Sequence, residues 1–181
     1  MTSPVRPPRA RHAPGFSLVE LLVAVAVLGM VASLSAASLV PLQNHFRGRD
    51  AATRVAAAAT RARASAWQTG RCHILTVYNG ASAAALGSPG DRLLIQRYPT
   101  ADCQSTPTPA SLVEVEWVLL PERVTVRQVA GTGHPVWRIQ GRLKAAQAVD
   151  LRVDSGDRQR FIRLALEGLV CTDDEPITGC P

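Results

Sequence analysis

Residues 15–20 read GFSLVE, and residues 21–40 continue as an apolar run that contains neither charge nor proline. A helix rises about 1.5 Å per residue, so this run is long enough to cross the roughly 30 Å hydrocarbon core of a bilayer. Glu20 stands at the start of the run, where a carboxylate would cost about 2.5–3.5 kcal/mol if it reached the bilayer centre. The sequence therefore predicts a membrane helix whose carboxylate needs a binding partner.

The segment ahead of this helix, residues 1–15, is rich in proline, arginine and alanine and holds no acidic residue. Positive charge before an apolar helix predicts a cytoplasmic N-terminus, with the chain from Pro41 onward on the other side of the membrane. The chain has 20 basic and 14 acidic residues, so loss of the three arginines in this segment would lower the net charge from +6 to +3.

The pattern of Gly15 before Phe16, then Glu20 and the apolar run, resembles the class III signal of type IV pilins and type II secretion pseudopilins. The resemblance implies that a prepilin peptidase removes residues 1–15, cutting after Gly15, and methylates the new N-terminus at Phe16. It also implies a role for Glu20 in subunit assembly. The implied partners are that peptidase, the inner membrane and other pilin or pseudopilin subunits in a helical filament.

In such a filament, Glu20 would pair with the N-terminal amine of an adjacent subunit, which offsets the cost of both charges in an apolar setting. The implied location is the bacterial inner membrane, crossed once, with the N-terminus cytoplasmic and the C-terminal domain periplasmic. Small side chains along the helix would permit close helix packing; they are Ala24, Ala26, Gly29, Ala32, Ser33 and Ser35.

Two other interpretations of the N-terminal segment remain open. A conventional secretory signal could be cut near residues 35–37, which read SAA, but its apolar core is normally shorter and does not need Glu20. A plain single-pass anchor carrying a periplasmic β domain would keep Met1 and lack the methylated Phe16.

The helix is expected to kink or stop at Pro41, which lacks an amide donor, and to resume from Leu42 to about Thr69. Alanine-rich sequence supports this second half, and Gly70 is a suitable stop. A helix of mixed composition should lay one face on a domain. The expected packing stripe consists of Val55, Ala58, Ala59 and Ala62.

Beyond Gly70 the apolar period changes to two, which is typical of an antiparallel sheet covered on one face. In residues 113–119, Glu114 and Glu116 are expected on the solvent side, and four apolar side chains are expected on the buried side: Val113, Val115, Trp117 and Leu119. The other predicted strands are Arg71–Asn79, Arg92–Tyr98, Arg123–Val129, Val149–Asp154 and Arg160–Glu167.

The predicted fold class is α+β, with a long N-terminal helix packed on an antiparallel β-sheet domain, as in pilins. Its 181 residues leave room for one domain beyond the membrane helix. The expected division is a leader over 1–15, a transmembrane and polymerisation helix over 16–41, the second half of the helix over 42–70, and a periplasmic β-sheet domain over 71–181.

Four cysteines suit an oxidising compartment and allow three disulfide pairings. Cys171 and Cys180 bracket a short polar loop that a disulfide could close, which leaves Cys72 and Cys103 either paired or both reduced. No Cys-x-x-Cys pair is present and the histidines are scattered, so no metal site is expected.

Three further segments resemble the GspH/FimT family of minor pseudopilins and pilins. They are Ala62–Leu75 at the junction of helix and first strand, Trp137–Arg142 as a strand and glycine turn, and Phe161–Val170 towards the closing strand. The resemblance implies a subunit of a type II secretion pseudopilus, or of a related type IV filament, that supports protein secretion.

DNA uptake during natural transformation is the alternative function. Some pilus members of this family bind DNA through a Gly-Arg-x-Arg element near the C-terminal strand. The matching residues here, 168–171, read GLVC, whereas an upstream turn contains Arg142 and Lys144 as candidate DNA ligands. A row of arginines on the second half of the helix could also meet phosphates or simply face solvent and neighbouring subunits; it comprises Arg47, Arg49, Arg54, Arg61, Arg63 and Arg71.

Motifs for catalysis and cofactor binding are missing. The sequence has no glycine-rich phosphate loop, no Gly-x-Ser-x-Gly elbow and no paired-histidine motif. The acidic residues 173–175 are contiguous, as in a solvated turn rather than a calcium loop. The sequence therefore predicts a protein that is not an enzyme and has no cofactor.

Overall fold

The computed structural model describes residues 17–80, 91–101, 103, 111–144 and 147–180, and it leaves the side chains of residues 33–38 aside. The predicted leader, Gly15 and Phe16 lie outside these ranges. The chain forms two compact units, Met1–Val40 and Pro41–Pro181.

One helix, α1, spans Leu18–Thr69. It continues through Pro41, so the predicted interruption there was wrong. A proline removes one helical hydrogen bond, and the strong helix formers that follow sustain the helix beyond it. The predicted stop is confirmed, because α1 ends at Thr69 and Gly70 adopts a positive φ of 60°. A left-handed glycine at this position is a common helix terminator.

Within the described residues, eight antiparallel strands follow α1 and form two four-stranded sheets. Sheet A has the order β3-β2-β1-β5, and sheet B has the order β4-β6-β7-β8. The strands are β1 His73–Tyr78, β2 Arg92–Arg97, β3 Val113–Leu119, β4 Val124–Ala130, β5 Val136–Trp137, β6 Val149–Ser155, β7 Arg158–Leu164 and β8 Val170–Asp173.

The core of the Pro41–Pro181 unit lies between the second half of α1 and both sheets. The predicted packing stripe is confirmed: Val55, Ala58, Ala59 and Ala62 are fully buried. Small alanine side chains let the backbones of the strands approach the helix closely. The stripe belongs to one cluster with residues of both sheets, which include Leu75, Leu93, Ile95, Val126, Trp137, Leu151 and Ile162.

The predicted orientation of β3 was wrong. Val118 is buried, whereas Trp117 and Leu119 are exposed. Glu116 lies 3.1 Å from the guanidinium of Arg61 on α1, so the helix offers this strand a charged partner. The register also shifts opposite Ile95 in β2, so two residues of β3 lie opposite one residue of β2. A period-two pattern cannot reveal such a shift.

The alternation predicted for the segments that form β4 and β6 is confirmed. Val124 and Val126 of β4 are buried, and Thr125 between them is exposed. Strand β6 buries Val149, Leu151 and Val153 and leaves its charged residues half-buried. Both strands therefore present one apolar face to the core, as a sheet covered on one side requires.

Asp91 joins the two sheets. Its carboxylate accepts hydrogen bonds from the backbone N–H groups of Gly80, at 3.1 Å, and Val126, at 2.7 Å. Its own carbonyl accepts a hydrogen bond from the N–H of Leu120 at 3.2 Å. Asp91 is buried, so these bonds replace the solvent that the carboxylate has lost.

Candidate functional site

The start of α1 is built around Ser17 and Glu20. The Ser17 hydroxyl oxygen accepts a hydrogen bond from the Glu20 backbone N–H at 3.2 Å, and the Ser17 carbonyl accepts one from Leu21 at 3.2 Å. This arrangement is that of a helix N-cap, and an acidic residue in the first turn suits the positive end of the helix dipole. The cap uses the backbone of Glu20 and leaves its exposed carboxylate available.

The N-terminal part of α1 exposes its apolar side chains. From Leu18 to Val31, the large apolar residues are 53–74% exposed in the isolated chain. A contiguous apolar surface of this kind marks a contact with protein or membrane.

Over the part of the chain that the structure describes, no helix combines the length and the apolar character that a membrane crossing requires.

Three arginines of the predicted row bond to the protein itself: Arg54 and Arg61 on α1, and Arg71 just after its end. The partners are Asp50 for Arg54 at 3.0 Å, Glu116 for Arg61 at 3.1 Å and the Pro99 carbonyl for Arg71 at 2.8 Å. These bonds tie the helix to its own surface and to sheet A. They favour the interpretation of the row as a structural face over that of a free phosphate-binding surface.

Arg63 has a role that sequence reasoning missed. Its side chain lies against two glycines with positive φ, Gly141 at 71° and Gly168 at 85°. A Cβ atom would lie 3.2 Å from the Arg63 Nε if added to Gly141 and 2.8 Å from it if added to Gly168. Gly141 therefore makes room for the Arg63 side chain, and Gly168 makes room first for the Gly141 carbonyl and then for that side chain, where α1 meets the turns before β6 and β8. Nothing local in the sequence indicates that residues so far apart share one neighbour.

The two predicted DNA ligands, Arg142 and Lys144, have different environments. Arg142 is exposed, whereas the Lys144 amine donates a hydrogen bond to the Cys103 carbonyl. Arg138, which the sequence did not single out for DNA binding, is exposed in the same recess as Arg142. Trp67, which is 78% exposed on α1, borders a neighbouring groove together with Gln140. The exposed cations at this turn are Arg138 and Arg142, and the role of Arg142 and Lys144 in DNA binding stays a prediction.

The four cysteines form two disulfides, Cys72–Cys103 and Cys171–Cys180, with Cα–Cα distances of 5.9 and 5.8 Å. The second closes the acidic loop, in which Asp174 pairs with Arg160 at 2.9 Å. No group of histidine, cysteine or acidic side chains suited to a metal ion occurs among the residues that the structure covers.

His73 is buried at the start of β1. Its Nδ1 lies 3.1 Å from the Arg71 carbonyl. Burial lowers the pKa of the His73 imidazole below its ordinary value of 6.5; the hydrogen bond opposes this, and the charge of Arg97 lowers the pKa further. His73 is therefore a neutral structural residue near pH 7.

Comparisons with known proteins bear on both units. Residues 11–36 match the family described as the prokaryotic N-terminal methylation motif. The chain is similar to the crystal structure of the type IV minor pilin FimU of Pseudomonas aeruginosa, with a TM-score of 0.51 and 13% identity, over 74% of this chain and 92% of FimU. No curated protein matches the chain. The chain therefore carries an N-terminal methylation motif and shares the fold of a type IV minor pilin.

Proposed function

We propose that the chain is a GspH/FimT-like minor pseudopilin that assembles into a type II secretion pseudopilus or a related type IV filament and supports protein secretion. The observation that carries the proposal is the combination of a methylation motif over residues 11–36 with a pilin fold. Its role is structural: the protein acts by occupying a place in a polymer, and no catalytic step is assigned to it.

The proposed working form begins at Phe16, after cleavage behind Gly15 and methylation of the new N-terminus. Residues 16–41 are held in the inner membrane until assembly, and residues 42–70 and 71–181 lie in the periplasm. The exposed apolar side chains from Leu18 to Val31 support this arrangement, because they need either lipid or neighbouring helices as cover.

Glu20 is the proposed assembly contact. Its carboxylate would pair with the N-terminal amine of an adjacent subunit and so set the axial position of one helix against the next. The cap at Ser17 supports the proposal, because it orders the helix start through the Glu20 backbone and not through the carboxylate.

The substitution Glu20→Ala tests this contact. It retains the backbone hydrogen bond to Ser17 and removes only the carboxylate, so the chain should be cleaved and methylated normally yet fail to enter filaments. The measurement is the amount of subunit in sheared or purified filaments, relative to the membrane pool. Glu122→Ala, at an exposed turn of the β domain, is the matched control and should be incorporated like the native chain. Normal incorporation of Glu20→Ala would refute the proposed role.

The alternative proposal is a minor type IV pilin that binds DNA for uptake. The exposed Arg138 and Arg142 favour it, while the engagement of Lys144 by Cys103 counts against it. It predicts that full-length protein in detergent binds duplex DNA with strong salt dependence, and that Arg142→Ala reduces binding more than Lys144→Ala does. Flat titrations at low salt would exclude this function.

A further inference from the structure

The C-terminal end of α1 and the turn after β5 enclose an exposed groove of about 500 Å³. Thr60, Arg63 and Trp67 line it from the helix, and Gln140 and Gly141 line it from the turn. Gln140 also borders a recess of about 330 Å³ that contains Arg138 and Arg142. We call the two together the arginine groove.

The arginine groove carries net positive charge beside an exposed aromatic ring. Arg138 and Arg142 are exposed, and the ion pairs among the described residues include neither. Glu167 lines the same recess, so two exposed guanidinium groups stand against one carboxylate. Tryptophan and arginine are the residues that most often dominate protein interfaces, and an acidic protein segment would complement this charge.

The chain itself contains such a segment. Asp173, Asp174 and Glu175 are exposed on a loop that the Cys171–Cys180 disulfide closes. The Asp173 carboxylate accepts the Asp174 backbone N–H at 2.7 Å, and Arg160 holds Asp174 at 2.9 Å. The loop is therefore ordered before any contact, which lowers the entropic cost of docking.

The groove and this acidic loop lie towards opposite ends of the second half of α1. Asp174 borders a cleft together with His45 and Gly48, whereas Arg63 borders the groove. Between Gly48 and Arg63 the helix advances about 22 Å at about 1.5 Å per residue. Both surfaces belong to the Pro41–Pro181 unit, so the acidic loop of one copy and the groove of the next could meet head to tail.

We propose that the acidic loop of one copy docks into the arginine groove of a second copy. Asp173 and Glu175 face Arg138 and Arg142 in this contact. Because the two surfaces differ, the contact is heterologous and leaves an unused surface at each end, as a growing filament requires. The inference rests on the proposed filament role and names one axial contact within it. Duplex DNA, whose phosphates would meet the same two guanidinium groups, is the rival occupant that the test below separates.

Cysteine cross-linking between two full-length copies in one membrane tests this contact. One tagged copy carries Gln140→Cys and the other carries Glu175→Cys, and mild oxidation should join them. A copy with Thr125→Cys, on the exposed side of β4, replaces the second partner as the control and should give only background. High salt should reduce the specific product, because screening shortens the reach of exposed charges from about 10 Å at 0.1 M to about 3 Å at 1 M.

Charge reversal separates a real contact from chance collision. The pair Arg138→Glu and Arg142→Glu in the groove copy should abolish the cross-link, and Asp173→Arg in the loop copy should restore it. A product no stronger than the Thr125→Cys background, or one that charge reversal leaves unchanged, would overturn the inference. Loss of the product on adding duplex DNA, with no rescue by Asp173→Arg, would also overturn it in favour of a DNA site. Filaments that form normally without this cross-link would refute the contact and leave the proposed function intact.

Discussion

The two parts of α1 differ in how their apolar side chains are covered. Between Pro41 and Thr69 the helix buries one alanine-rich face against the sheets of its own chain. Between Leu18 and Val31 its large apolar residues are more than half exposed. The C-terminal part is therefore stabilised within the folded unit, whereas the N-terminal part depends on contacts that the chain does not supply. In the proposed function those contacts are lipid first and neighbouring helices later.

The largest expected loss of stability comes from removing the Asp91 carboxylate, which links the two sheets by hydrogen bonds. Asp91→Ala removes the acceptor for the Gly80 and Val126 N–H groups and leaves the buried Val126 N–H unsatisfied, which should cost about 2–4 kcal/mol of unfolding free energy. Denaturant unfolding of the oxidised full-length protein in detergent should show the loss. Asp157→Ala, at an exposed turn, should change stability little. An unaltered midpoint for Asp91→Ala would contradict the assigned role of this carboxylate.

Two substitutions of alanine by leucine, one in each part of α1, test the difference between the two parts directly. Ala59 is fully buried, so Ala59→Leu overpacks the helix against the sheets and should cost about 1–3 kcal/mol. Ala26 is exposed, so Ala26→Leu should leave the unfolding of the β domain unchanged. Parallel denaturant curves in detergent measure both variants. Equal losses would mean that the two parts of α1 do not differ in the way described.

The smallest effect is a pH dependence confined to the β domain. The pKa of His73 is lower in the folded chain than in the unfolded one, so the unfolded state binds more protons as the pH falls below about 6.5. The contribution of neutral His73 to the free energy of unfolding is therefore fully present above that pH. It is lost as the pH falls towards the pKa of His73 in the folded chain. His73→Gln should flatten the stability profile between pH 7 and pH 5. A profile that keeps its slope would assign the titration to another group.

Much of the fold could be predicted, because its strongest signals are local. The helix end at Gly70, the packing stripe around Val55 and the alternation in β4 and β6 each depend on residues that are close in sequence. The orientation of β3 could not be predicted, because it depends on Arg61 of a distant helix and on a register shift opposite Ile95. The two-residue strand β5 is too short to carry a period.

The candidate sites also divide into those that have a local signal in the sequence and those that do not. The motif from Gly15 to Glu20 is contiguous, so the sequence alone predicts its chemistry, although Gly15 and Phe16 lie outside the described residues. Arg138 is close to Arg142 in sequence, but the rest of this surface depends on tertiary contacts: the Cys103 carbonyl accepts a hydrogen bond from Lys144, and Trp67 comes from α1. The place of Arg63 between Gly141 and Gly168 likewise becomes visible only when the turns and the helix are seen together.

Mass spectrometry of the N-terminal peptide, from protein extracted from membranes, is the most direct test of the central claim that this chain is a processed filament subunit. The account predicts a peptide that begins at Phe16 and carries one N-terminal methyl group, with residues 1–15 absent. An intact Met1, or cleavage after residues 35–37 with loss of Glu20, would contradict it.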